Sequence, residues 1–308
     1  MDRCDFLPVS AEEMHERGWW WYDALVVGGD AYVDHPSFGT AVISRVLEAE
    51  GLRVAVLAQP DWHDAEAFRA MGRPRLGVFI GAGNLDSMVA HYTAAKRRRS
   101  EDFYSPGKRT GCRPDRAAIV YCNRAREAFG PDVPIILGSL EASLRRFAHY
   151  DYWDDSVRRA ILFDAPADLL VYGMGEAATI EIAHRLKKKQ SVHTMTDIPG
   201  TGYITRDPAE CKFEHVTLPS YEDVRDDKRL YAEATRTEYA EHDPVRGRAM
   251  IQPCEGRYLV INPPAMPLDT KALDRVADLP YTREWHPMYE PLGGVPAIEE
   301  VRFSVIHN

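Results

Sequence analysis

Residues 23–60 read DALVVGGDAYVDHPSFGTAVISRVLEAEGLRVAVLAQP. Residues 24–27 are a short apolar run rich in β-formers, ended by Gly28-Gly29, as a strand and turn require. Ser37 is placed to cap a helix that carries Ala41, Val42, Val46 and Leu47 on one face and stops at Gly51. Residues 53–57 return as a second strand, stopped by Pro60. A strand, crossover helix and strand of this length form a right-handed parallel unit. Open sheets built this way collect ligands outside the carboxyl ends of their strands. The loop from Asp30 to Ser37 leaves the first of those ends and is too long and polar for a simple connector.

Three more strand-and-loop signals follow. Residues 76–80 (LGVFI) run into GAGNLDSM, residues 134–137 (PIIL) into GSLEASLRR, and residues 168–172 (DLLVY) into GMGEAATIEIA. Continuous apolar runs of this kind suit strands buried on both faces. Residues 115–129 and 175–189 have helical spacing, the second with Lys187 to Lys189 near its end, where the helix dipole favours cations. The prediction is a doubly wound α/β fold with a mainly parallel, five-stranded sheet in flavodoxin-like order, filling residues 1–190. Residues 191–308 change texture to a smaller, irregular α+β region rich in proline. Helical spacing there is confined to 220–241 and 270–277, and Ser220 with Asp223 resembles a capping box. Residues 250–252 and 258–261 flank Pro253-Cys254-Glu255-Gly256 as a hairpin, and residues 300–306 (EVRFSVI) form a last strand.

Composition narrows the function. The 308 residues are 45% hydrophobic with net charge −9, which fits a soluble, cytoplasmic protein and argues against broad nucleic-acid binding. No run of about 18 apolar residues marks a membrane span. Five scattered cysteines suggest neither a disulfide framework nor a zinc knuckle. No glycine loop matches G-x-G-x-x-G well and no P-loop lysine is present, which argues against a dinucleotide or nucleoside-triphosphate site. Asp34-His35 reads either as a metal or base pair or as a local turn; Asp61, His63 and Asp64 read the same two ways. Residues 96–99 (KRRR) with Lys108, Arg109, Arg113 and Arg116 form a basic stretch, either a phosphate or RNA contact or a solvated helix end. Trp19, Trp20 and Trp21 are read as covering the bottom of the sheet.

The segments GDAYVDHPSFG, LAQPDW, GNLDSM with HYTA, RPDRA, LEASLRRFAHYDYWDDSVRR, YGMGE, LPSYEDV, NPPAMPL, LPYTREWHPMY and GGVPAIEEVRFSV occur in this order along nearly the whole chain. Together they resemble the N-terminal half of YgiQ-like radical SAM proteins. In that family a Cys-x-x-x-Cys-x-x-Cys motif follows the equivalent of RFSV. The resemblance implies a [4Fe–4S] cluster on three thiolates, with S-adenosylmethionine on the fourth iron. This sequence reads through Asn308 without the motif, so the expectation is a truncated domain that cannot cleave S-adenosylmethionine alone, and no catalytic residue or metal ligand is carried over. The sheet also resembles the cobalamin-binding domains that precede many radical SAM barrels, although their Asp-x-His-x-x-Gly signature is absent. Candidate ligand contacts at the sheet edge are Gly28, Gly29, Asp30, Asp34, His35, Ser37, Gly83, Asn84, Ser139, Glu141, Gly175 and Glu176. Three expectations follow: an accessory domain partnered by a separately encoded barrel chain, an inactive remnant, or a stand-alone corrin or nucleotide module.

Overall fold

The computed structural model describes residues 5–302. The elements follow in chain order: α1 (Ala11–Glu16), β1 (Ala24–Gly28), α2 (Gly39–Ala49), β2 (Val54–Ala58), α3 (Glu66–Arg69), β3 (Gly77–Gly81), α4 (Ser87–His91) and α5 (Ala117–Phe129). Next come β4 (Ile135–Leu137), α6 (Ser139–Leu144), β5 (His149–Asp151), β6 (Ser156–Arg158), β7 (Leu169–Val171) and α7 (Glu176–Lys187). The last are β8 (Thr201–Thr205), β9 (His215–Thr217), α8 (Tyr221–Asp226), α9 (Lys228–Ala240), β10 (Ala249–Cys254), β11 (Arg257–Ile261) and α10 (Thr270–Ala277).

The five expected strands are present, all parallel, in the order β2-β1-β3-β4-β7. The expected five-strand limit is corrected: the sheet has nine strands and continues β7-β8-β11-β10-β9. β7 is no edge, because β8 pairs with it antiparallel and draws the β10–β11 hairpin into the same sheet. Pairing of this kind covers the unsatisfied backbone of what would otherwise be an exposed edge. The sheet therefore runs without interruption past residue 190. β5 and β6 form a separate two-stranded ribbon.

Helices on both faces explain why the strand runs are apolar throughout. Along β1, Leu25 and Val27 join the core beneath α5, whereas Ala24 and Val26 join the core beneath α2 and α7. A strand sends successive side chains to opposite faces, so both must be apolar when both are covered. At the opposite edge from the ligand loops, Trp21 is clasped by Arg53 and Arg75, at 3.9 and 3.4 Å from the ring centroid. Trp19 packs against the α5-side core, but Trp20 is exposed, its ring set on His15 rather than on the sheet.

Three local expectations change. Ser37 does not cap α2: Phe38 is the capping position, without a side-chain cap. Asn84 does the work from a distant loop, its Oδ1 accepting from Gly39 N and its Nδ2 donating to the Ser37 carbonyl. The single helix expected over 220–241 is two, because Asp227 is extended (φ −128°, ψ 113°) and its carboxylate caps α9. Of the strand expected over 300–306, residues 300–302 lie in a turn, and the rest lie outside the described residues.

The capping box is present: Ser220 Oγ accepts from Asp223 N, and Asp223 Oδ2 accepts from Ser220 N. Ser220→Ala is expected to cost about 1 kcal/mol in a urea titration; an unchanged midpoint would show that tertiary contacts alone hold α8. The hairpin is present too. Its turn residues, Glu255 and Gly256, both have positive φ (49° and 73°), the two-residue geometry that matches strand twist.

Candidate functional site

β1, β3, β4 and β7 all end in or just before glycine, at Gly28, Gly81, Gly138 and Gly173. Above those ends, between α2 and α7, lies a cavity of about 340 Å³. Its floor is apolar, with Val26, Phe79, Ile80, Ile136 and Val171, and its rim carries Thr40, Ser139, Thr179 and Glu176. This is the crevice where parallel α/β sheets present ligands.

Of the expected contacts, Ser37, Gly83, Ser139, Gly175 and Glu176 line the cavity. Ser139 sits in left-handed backbone (φ 74°), and its Oγ accepts from Ala82 N. Glu176 opens α7, and its Oε2 is buried without a hydrogen-bond partner. Thr40 and Thr179 are rim residues that sequence reasoning passed over; Thr40 is the second residue of α2 and Thr179 lies one turn into α7, in helices whose starts flank the crevice.

The other expected contacts hold the protein together instead. At Gly28 a Cβ would press on the Thr40 hydroxyl, and at Gly29 it would overlap the Ala82 carbonyl oxygen. Both glycines let backbone and helix close around the strand end. Asp30 is buried and accepts from Arg113 Nη1 at 2.5 Å and Asn84 N at 2.6 Å. Arg113 Nη2 reaches Asp102 at 2.7 Å, and Asp102 accepts from Ser105 Oγ at 2.7 Å. Burial pushes the Asp30 carboxyl up from its ordinary pKa, and the Arg113 charge opposes this.

Asp34 is likewise a tie. It forms a buried ion pair with Arg45, and its Oδ2 accepts from Thr282 N at 3.0 Å. Its backbone bonds to Arg283 and Glu284, which fastens the chain beyond α10 to the β1 loop. His35 Nδ1 accepts from Ser37 N at 3.1 Å, the local turn rather than the metal reading. Burial first, and the Arg283 charge second, hold the His35 ring below the usual histidine range. Glu141 spends both oxygens on the N–H groups of Ser87 and Ala118. Asp61 and His63 pair with each other at the surface. In the basic stretch, Arg113 and Arg116 are taken up by internal carboxylates, while residues 96–99 are exposed.

The described residues contain no group of three His, Cys, Asp or Glu side chains placed to hold a metal ion. They do not fit a [4Fe–4S] cluster, which needs neighbouring thiolates. His35 does not line the cavity, so it offers no ligand there to a corrin's metal.

A family model described as radical SAM N-terminal matches residues 6–304. The chain belongs to this family. A UPF0313 protein of Clostridium botulinum is 52% identical over 305 residues, covering 99% of this chain and 47% of the relative. One from Clostridium perfringens is 53% identical over 308 residues, covering 100% and 46%. The chain thus spans about half the length of these family members. Among solved structures, the radical S-adenosylmethionine methyltransferase TsrM from Kitasatospora setae, with tryptophan substrate and a SAM analog, aligns at TM-score 0.36 and 20% identity. That alignment covers 58% of this chain and 28% of TsrM. The form with cobalamin and a [4Fe-4S] cluster aligns at TM-score 0.35. No helix among the described residues is long and apolar enough to cross a membrane.

Proposed function

We propose that this chain is a small-molecule-binding accessory domain that works with a radical SAM barrel. The barrel, in the same polypeptide type or as a separate chain, would supply the [4Fe–4S] cluster and the S-adenosylmethionine that the family implies. The observation that carries the reading is the cavity at the carboxyl ends of β1, β3, β4 and β7, with an apolar floor and a few polar groups at the rim. Pockets with this balance are the ones that hold small ligands.

Thermal unfolding of the purified chain with cobalamin, S-adenosylmethionine and a panel of nucleosides tests this. A ligand at about a hundred times its Kd adds about 2.7 kcal/mol, which shifts the midpoint by roughly 4 °C in a chain this size. At least one compound is expected to do so, and Ile43→Trp, which fills the cavity from α2, is expected to abolish the shift. Shifts that survive Ile43→Trp, or none at all, would sink the proposal.

A further inference from the structure

We propose that the cavity takes an uncharged nucleoside, with the sugar hydroxyls on Glu176, and rejects the phosphorylated form. This rests on the reading of the crevice as a ligand site and names its ligand class.

Charge decides first. Helix N-termini normally attract phosphate, through free N–H groups and the helix dipole. Two helices of sufficient length, α2 and α7, start at this cavity. Each start already has a side-chain oxygen of the protein beside it, and at α2 that oxygen takes a helix N–H. Asn84 Oδ1 takes Gly39 N at α2, and the Glu176 carboxylate sits in the first turn of α7. Among the described residues no lysine or arginine lines the cavity, and Glu176 is the one charged residue that does. A phosphate would meet a like charge over an apolar floor, with no cation to offset it.

Hydrogen bonding decides second. Glu176 Oε2 is buried and lacks a partner, a costly state for a carboxylate oxygen unless a ligand donor completes it. No side chain among the described residues forms an ion pair with Glu176, and it opens onto the cavity. A carboxylate with two acceptor oxygens matches two neighbouring hydroxyls, as the acidic residue of dinucleotide folds matches a ribose. The remaining polar rim, Thr40, Ser139 and Thr179, is hydroxyl-bearing and neutral. Because Ser139 Oγ already accepts from Ala82 N, its hydrogen is free to donate. An ammonium ligand would have to lose its water above Val26, Phe79 and Val171, whereas a flat heterocycle suits that floor. The volume of about 340 Å³ suits a ring and one sugar better than a dinucleotide.

Titration calorimetry on the 308-residue chain with adenosine, AMP and 2′,3′-dideoxyadenosine tests the assignment. Adenosine is expected to bind at least tenfold more tightly than either of the other two. Glu176→Gln keeps the shape of the side chain and removes its charge, so it is expected to narrow the adenosine-to-AMP ratio to less than threefold; its circular dichroism checks the fold. AMP or the dideoxy compound binding as tightly as adenosine would overturn the assignment. So would an adenosine-to-AMP ratio unchanged in Glu176→Gln. If adenosine fails while another compound binds in a manner blocked by Ile43→Trp, the nucleoside assignment falls and the ligand site stands. If no compound binds, both fall.

Discussion

Arg113→Met is expected to destabilise the protein by about 3–5 kcal/mol, because it strands two buried carboxylates. Arg113 is fully buried, with Asp30 on Nη1 and Asp102 on Nη2. The three side chains tie the loop after β1 to the segment before α5, more than seventy residues apart along the chain. With the guanidinium gone, the carboxyls recover neutrality by taking up protons. Asp30, already raised by burial, rises further above its unfolded value. An acid with a raised folded pKa binds more protons folded than unfolded, so stability falls as pH rises through that window. The variant is therefore expected to lose less stability at pH 5 than at pH 7.5 in urea titrations. Adding Asp30→Asn and Asp102→Asn to Arg113→Met is expected to recover much of the loss, since it removes both stranded charges and keeps acceptors for Asn84 N and Ser105 Oγ. A single variant as stable as the parent at pH 7.5 would refute the argument.

Asp34→Ala is expected to cost about 2–4 kcal/mol, by leaving Arg45 buried with only the partly exposed Glu48 as counter-ion. Both side chains are buried, and Arg45 also donates to the Asp5 carbonyl at 2.7 Å and to Glu48 at 2.8 Å. Those remaining contacts keep the guanidinium in place rather than letting it reach water. The second consequence is local. Thr282 N loses its acceptor, and the segment beyond α10 loses one of its ties to the β1 loop. Hydrogen exchange is expected to accelerate at Thr282 by at least tenfold, beyond the change at β1 amides. Uniform acceleration across both regions would mean that the ion pair supports global stability without anchoring this segment.

Pairs like these separate what was legible from what was not. The central parallel strands were legible because burial on both faces leaves continuous apolar runs such as ALVV and LGVFI, ended by glycine. β8 was missed: TGYIT is short, interrupted by Gly202 and bounded by threonines, and its strand character comes from pairing with β7 and β11. The cavity edge was half legible. Ser139, Gly175 and Glu176 lie where strand-end loops place them, but Asp30, Asp34 and Glu141 looked equally available. A polar residue at a strand end has the same sequence signature whether it faces a ligand or a buried arginine.

The order of apolar runs, glycines and helical spacing by itself determined the parallel sheet and the edge at which the cavity opens, because period and turn chemistry are local properties of the chain. Tertiary structure alone decided that Asn84 caps α2, that Arg113 and Arg45 claim the two loop aspartates, and that Glu176 keeps an unpaired oxygen at the cavity. Each of those depends on groups brought together from distant segments, and only folding sets which donor reaches which acceptor.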